Sequence, residues 1–459
     1  MGRSLKTKLE SLASHIPKDV LRFDESSRNT HSGDKWFAAH VPDAVAMPRS
    51  VRSVAAILEF ASRHGIPVTA RGAGCGYVGG CVPSRGGIVL SLARMNRIKE
   101  VNSHDFVAVV QPGVVTAHLQ DCAKEKHLYY PPDPASRADS FIGGNIATNA
   151  GGPRSVKYGV TRDYVLGLQM VMANGEVARF GGRTHKNVVG FDFARLFTGS
   201  EGLLGVITEA TLKLLPLPQY RSSLSVGFVS MKAAAGAVRR IFTEGFLPCA
   251  VELSDQFTLA AATARTGTKM FDGCSAHLIV ELDGRADSVR TEMRMLERLI
   301  RNGKPVFVHR ANGDAACERV WGIRREFSYS LRDTGLKKIN QDVVVPRGQV
   351  ESLFALATRL QKRHSIRIAC FGHAGDGNIH VNLMLDESQP GFMKRCNAAQ
   401  NDLFRGVINL GGTITGEHGI GLAKKPWWPL AASRETRSVH RAVKEALDPK
   451  GILNPGKFV

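Results

Sequence analysis

Long apolar stretches are missing from this 459-residue chain. No run approaches the roughly 20 residues that a membrane-spanning helix needs, so no transmembrane segment is expected. The first residues, Met1-Gly-Arg-Ser-Leu-Lys-Thr-Lys8, are basic but carry none of the apolar core of a secretory signal, and a cytoplasmic location is the expectation. The eight cysteines form no C-x-x-C pair and no cluster. That argues against an iron–sulfur centre or a cysteine-rich zinc module, and reduced thiols are expected in place of a disulfide framework. Acidic residues are outnumbered: 41 Asp and Glu against 61 Lys and Arg leave a net charge of +20. The excess is dispersed, without a block of like charge or an aromatic–basic recognition motif, so nucleic-acid binding is not expected. A surface of this kind attracts carboxylates and phosphate-bearing cofactors. Internal repeats and low-complexity tracts are absent as well.

What is present is ordinary globular material, 43% hydrophobic and 22% charged, long enough for two or three domains. A short helix is expected near 5–14 and a polar loop over 26–35. Val51, Val54, Ile57, Leu58 and Ala61 repeat at helical spacing until Gly65. Glycine-rich turns and short strands then alternate to about Leu215, with strands expected at 67–70, 88–92, 107–110, 165–172 and 205–214. Pro216 and Pro218 suggest a boundary. Beyond it, strands at 226–229 and 276–281 mix with helices at 232–243, 286–302, 319–333 and 347–364, as in an α+β domain. The expected domains are 1–218, 219–410 and 411–459.

Two glycine-rich segments mark the first half. Arg71-Gly-Ala-Gly-Cys-Gly-Tyr-Val-Gly-Gly80 matches G-x-G-x-x-G at Gly74, Gly76 and Gly79. A dinucleotide fold of the Rossmann kind would open a helix there and place an acidic residue about 20 positions on. No Asp or Glu occurs between Glu59 and Glu100, so that reading fails. A loop of bare backbone amides facing an anion, with Arg71 adding charge, and a plain turn between strands remain equally good accounts. More specific is Tyr130-Pro-Pro-Asp-Pro-Ala-Ser-Arg137 followed by Ile142-Gly-Gly-Asn-Ile-Ala-Thr-Asn-Ala-Gly-Gly152. So many glycines and small or amide residues cannot build a core; they suit backbone wrapped around a flat or phosphate-bearing ligand. Phe197-Thr-Gly-Ser-Glu-Gly-Leu-Leu-Gly-Val-Ile-Thr-Glu209 and the closing Asn454-Pro-Gly-Lys457 complete the set.

The second half carries Gly372-His-Ala-Gly-Asp-Gly-Asn-Ile-His380 and Gly416-Glu-His-Gly419. Asp376-Gly377 is a tight-turn signal, so His373 and His380 flank one hairpin and converge. The two-residue period puts His380 and Asn382 on one face. With the carboxylate of Glu417, two imidazoles make a plausible site for Zn²⁺, Mn²⁺ or Fe²⁺. On spacing alone, imidazoles that cap turns or fill core gaps remain the alternative.

In their order, these motifs resemble the FAD-binding domain of the vanillyl-alcohol oxidase/para-cresol methylhydroxylase flavoprotein superfamily, over almost the whole chain. The second-half pair resembles the C-terminal domain of FAD-linked 2-hydroxy acid dehydrogenases: D-lactate dehydrogenase, D-2-hydroxyglutarate dehydrogenase and the flavin subunit of glycolate oxidase. The resemblance implies an α+β fold with a two-subdomain FAD-binding domain of the PCMH type. An α+β substrate (cap) domain follows, and the C-terminal segment returns to the flavin site. It assigns Arg71, Gly72, Gly74, Cys75, Gly76, Pro132, Asp133, Gly143, Gly144, Asn145, Thr148, Asn149, Gly151, Ile207 and Asn454 to FAD. Some relatives attach the flavin through a His in the first loop; Cys75 and Gly76 stand there, so non-covalent FAD is expected. It also implies that His373, His380 and Glu417 hold the metal and that His418 is the base. Asn382, Arg324 and Ser328 contact the substrate, with Arg324 on its carboxylate. Arg324 and Ser328 are four residues apart, on one helix face. A surface ion pair is the plainer reading of Arg324.

The implied reaction is oxidation of a small 2-hydroxy acid (D-lactate, D-2-hydroxyglutarate or glycolate) to the 2-oxo acid. Electrons then pass to a quinone, a cytochrome or an electron-transfer protein. One departure stands out. Where relatives carry Lys-Tyr-Asp, this chain has Asn340-Gln-Asp342, so a cation near the substrate is missing unless Lys337 or Lys338 supplies it. Two other readings share the fold: a flavin subunit of a multi-subunit complex, and an alkylglycerone-phosphate-synthase-like transferase. The latter family has adjacent histidines in its site, and no His-His pair occurs here. A homodimer and a peripheral membrane location complete the expectations.

Overall fold

The computed structural model describes residues 4–459. The chain divides into two units: unit one takes the chain up to Gly151, Val160–Leu217 and Glu417–Val459, and unit two takes Gly152–Gly159 and Pro218–Gly416.

In unit one the helical repeat after Pro48 folds as Val51–His64, capped by the Ser50 side chain at its start and closed by Gly65 at φ 65°. This helix links strands Ala44–Ala46 and Val68–Arg71, both parallel to Ile88–Ser91 between them, in a four-stranded sheet. A second sheet of five antiparallel strands runs in the order Ile98–Asn102, Val107–Val110, Val206–Lys213, Val165–Val171, Val177–Gly181. The Arg71–Gly80 loop leaves Val68–Arg71 without opening a helix.

Helices Thr116–Glu125, Ile142–Thr148 and Phe193–Phe197 correct the expectation of turns and strands alone before Leu215. Glycine disfavours a helix interior by about 1 kcal/mol. Tertiary bonds override that in Ile142–Thr148: Gly143 N donates to Pro112 O at 2.8 Å and Asn145 Nδ2 to Thr116 Oγ1 at 2.6 Å. The last segment is tied into the same unit, with Leu453 bridging Val68 in parallel.

Unit two is built on a seven-stranded antiparallel sheet. Its strands are β1 (Tyr220–Phe228), β2 (Ala250–Asp255), β3 (Ala276–Gly284), β4 (Phe307–Asn312), β5 (Lys337–Val344), β6 (Arg367–His373) and β7 (Asn378–Leu385). They lie in the order β4-β1-β3-β2-β6-β7-β5. The two-residue period sorts the side chains. One face is apolar, with Leu224, Val226, Leu278, Val280, Val251, Leu253, Ile379, Val381 and Leu383 all buried. The rungs of the ladder put Ser223, Glu281, Glu252, His373, His380, Asn382, Asn340 and Asp342 on the other. Helix Asp314–Arg332 packs on this polar face: Cys317 and Trp321 meet Ala250 and Ala311, and Phe327 and Leu331 meet Ala369, Phe371 and Met384. The short Gly152–Gly159 segment belongs here because Arg154 pairs with buried Glu281 and Lys157 with Asp283.

Candidate functional site

The hairpin joining β6 to β7 places the imidazoles. Gly377 takes φ +88°, which a side chain would resist, and the Asp376 carboxylate accepts from Asn378 N at 3.2 Å. His373 pairs with Asn378 and Phe371 with His380, so the two imidazoles lie diagonally on one face. Their ring centroids are 5.5 Å apart.

Asp342, opposite His380 on β5, anchors the Thr415–Gly416 segment. It is fully buried and accepts from Asn378 Nδ2 at 2.6 Å, Thr415 Oγ1 at 3.1 Å and Gly416 N at 2.9 Å. Gly416 therefore hands on Glu417 at the point where the chain leaves unit two. His373, His380 and Glu417 each offer a ligand atom within 4.8 Å of the others. Two imidazoles and a carboxylate are a fitting donor set for a borderline divalent cation.

Glu252, on β2, was missed in the sequence. It stands opposite His373, and its Oε1 lies 2.5 Å from His373 Nδ1. Its Oε2 receives Arg324 Nε at 2.7 Å and pairs with Nη2. Burial opposes its ionisation, but the charges of His373 and Arg324 outweigh burial and hold the carboxyl at about 2. A carboxylate acceptor on Nδ1 is the arrangement that orients metal-bound histidines. The signal available was a Glu between the apolar Val251 and Leu253 of a strand sequence. Arg324 accordingly sits in a buried ion pair rather than a surface one, with its guanidinium 4.7 Å from the Phe371 ring centroid. Ser328 lies one turn further along the helix and accepts from Lys338 Nζ at 2.7 Å. Asn382 is fully buried and its Nδ2 donates to Ala369 O and His380 O.

In unit one the two glycine segments lie side by side. A Cβ on Gly72 would sit 3.6 Å from Gly144, and one on Gly143 would strike Pro112 at 2.6 Å. A Cβ on Gly144 would meet nothing within 4 Å, the open cradle a flat ligand needs. Thr148 Oγ1 donates to Gly144 O, and Asn149 takes φ 51° and accepts from Arg162 N. Arg71 Nη1 donates to Gly33 O, and a Cβ on Gly74 would collide with that guanidinium. Gly76 O accepts from Lys35 N. Pro132 O accepts from Gln120 Nε2, Asp133 is partly buried beside it, and Gly151 and Ile207 are buried. Burial raises the Cys75 thiol above its ordinary value, which makes it a poor nucleophile. His418 packs on Tyr77 of the first loop, ring centroids 5.2 Å apart. Glu201 clamps the peptides after it, accepting from Ile420 N and Gly421 N, both at 2.8 Å. Asn454 Nδ2 donates to Gly80 O and Glu201 O, so the closing motif ties together two distant glycine motifs.

Residues 42–181 match the FAD binding domain family, and residues 217–458 match the family of FAD linked oxidases, C-terminal domain. The chain belongs to the FAD-linked oxidases. This oxidase is 39% identical to the glycolate oxidase subunit GlcD of Bacillus subtilis (strain 168), over 91% of its own length and 89% of that protein's. It is 31% identical to D-lactate dehydrogenase of Anaerostipes hadrus, over 98% and 96%. The crystal structure of p-cresol methylhydroxylase with substrate bound superposes with a TM-score of 0.82 at 18% identity, covering 99% of this chain and 96% of that one. The FAD-linked oxidase thus has the two-domain FAD-binding fold of the PCMH type. FAD is its cofactor, and the open space at Gly144 is of the kind that a flat cofactor needs. Among the described residues no helix is long and apolar enough to cross a membrane.

Proposed function

We propose that this oxidase converts a 2-hydroxy acid, in its D form, to the 2-oxo acid. The domains assigned to this work are 1–218 for FAD, 219–410 for substrate and 411–459 for completing the site. The observation that carries the reading is the His373–His380–Glu417 triple backed by Glu252, in a chain that binds a flavin. The names of the relatives, glycolate oxidase subunit and D-lactate dehydrogenase, support the substrate class.

FAD supplies two-electron chemistry, and a divalent metal, zinc ahead of manganese or iron, supplies Lewis acidity toward an alcohol oxygen. Arg324 orients the substrate carboxylate, with Ser328 one turn away. Asn382 offers its amide oxygen to the substrate. His418 takes the hydroxyl proton on its imidazole. The FAD is held without a covalent bond, a reading supported by the lack of any His in Arg71–Gly80. Electrons leave to a quinone, a cytochrome or an electron-transfer protein. A homodimer in the cytoplasm, at times against a membrane, is the form we assign.

The test is anaerobic bleaching of the bound flavin by a panel of D- and L-2-hydroxy acids, with and without chelator. Bleaching by a D acid, prevented by chelator, is expected. Failure of every acid to bleach the flavin sinks the reading. His418→Ala is expected to keep FAD and lose reduction; undiminished reduction removes His418 from its role.

A further inference from the structure

Lys338 answers the departure at Asn340. On β5 the rungs are Asp342 opposite His380, Asn340 opposite Asn382 and Lys338 opposite Met384. Lys338 is therefore on the same polar face, two residues further from the imidazoles than Asn340. Its neighbour Lys337 points the other way and pairs with Glu387.

Lys338 is half-buried, and its Nζ donates to Ser328 Oγ at 2.7 Å and Ser328 O at 3.3 Å. Among the described residues no carboxylate pairs with it. An ammonium taken out of water with only neutral partners is costly. Burial, with Arg332 adding repulsion, brings its pKa down to about 8.

Two further atoms share this face. Asn382 Oδ1 and Asn340 Oδ1 are buried and have no hydrogen-bond partner among the described residues. Such orphan acceptors are uncommon, and the hydroxyl of a 2-hydroxy acid is a donor for one of them. Arg324, which gives Nε and Nη2 to Glu252, stands at one end of the row. Ser328 and Lys338 stand at the other. Four helical residues separate Arg324 from Ser328, about 6 Å at 1.5 Å per residue. The carboxyl carbons of an extended five-carbon diacid lie about 5 Å apart, given C–C bonds of about 1.5 Å.

We infer that Lys338, with Ser328, is a specificity-determining cation that receives a second carboxylate. The preferred substrate is then a 2-hydroxy dicarboxylic acid of four or five carbons. This rests on the proposed oxidation of 2-hydroxy acids and narrows its substrate class. Arg324 takes the carboxylate next to the reacting carbon, and Lys338 takes the distal one.

The experiment compares kcat/KM for 2-hydroxyglutarate and lactate in holoenzyme carrying Lys338, Lys338→Met or Lys338→Arg. Equilibrium binding of the 2-oxo diacid is measured alongside. The wild type is expected to prefer the diacid. Lys338→Met is expected to lower the diacid-to-monoacid ratio at least ten-fold, mainly through KM, and to weaken binding of the 2-oxo diacid to match. Lys338→Arg is expected to keep most of both. A ratio unchanged in Lys338→Met, or a wild type that prefers the monoacid, overturns the assignment while the 2-hydroxy acid reading stands. If neither acid reduces the flavin, both fall together.

Discussion

Glu252 shows how much rests on one buried carboxylate. It accepts from a proposed metal ligand on one oxygen and from a proposed substrate-binding Arg on the other. Removing its charge leaves Arg324 buried without a counterion, a change that typically costs 3–5 kcal/mol. Glu252→Gln is therefore expected to lower unfolding stability by about 3 kcal/mol, measured by denaturant titration. It is also expected to weaken metal retention ten- to a hundred-fold against a competing chelator, the usual loss for such a partner. His277, on the same face, makes a separate prediction. Burial and the nearby Arg324 charge depress its imidazole to about 3. An unfolded imidazole titrates near 6.5, so the unfolded chain binds the extra proton and stability falls as pH drops below that value. Asp255 works in the opposite sense: burial raises its carboxyl to about 6, so its contribution is lost as pH rises from about 4 to 6. Above pH 6 the imidazole dominates. Between pH 7.5 and 6 the wild type should lose roughly 0.8 kcal/mol more than His277→Gln, read from denaturation midpoints.

Hairpin and glycine helix differ in how plainly they announced themselves. Asp376-Gly377 sits at a turn whose φ of +88° suits glycine, so the convergence of His373 and His380 could be read from spacing. Gly377→Ala is expected to cost about 1–3 kcal/mol through backbone strain and to loosen metal binding, measured by unfolding and by metal content. The Ile142–Thr148 helix could not be read, because its glycines oppose helix formation and distant partners at Pro112 and Thr116 impose it. Gly144 separates the fold from the ligand. A methyl group there meets open space and adds helix propensity, so Gly144→Ala should stabilise the flavin-free protein by up to about 1 kcal/mol. The same methyl group would enter the proposed flavin cradle, so flavin content, read from the ratio of flavin to protein absorbance, should fall. Flavin content equal to wild type would remove Gly144 from the cradle.

The chain's return to its own beginning was legible only as a motif. Asn454 and Lys457 donate to Gly80, Glu201 and Val82 carbonyls more than 250 residues away in sequence. Deleting residues 454–459 strips those carbonyls of their donors, and faster proteolysis with loss of FAD is expected, followed by gel and by flavin fluorescence. By itself the sequence determined the hairpin that carries the imidazoles, because that depends on local turn chemistry, and its glycine motifs carried the resemblance to the flavin-binding fold. Tertiary structure alone decided that Glu252 meets His373 and Arg324, that Asp342 holds Gly416, and that Gly152–Gly159 joins unit two through Arg154 and Lys157. It also decided that Lys338 and not Lys337 shares the polar face. Strand register governs the meeting of Glu252 with His373 and the face that Lys338 takes. Register is set by how a whole sheet buries one face, which no short motif encodes.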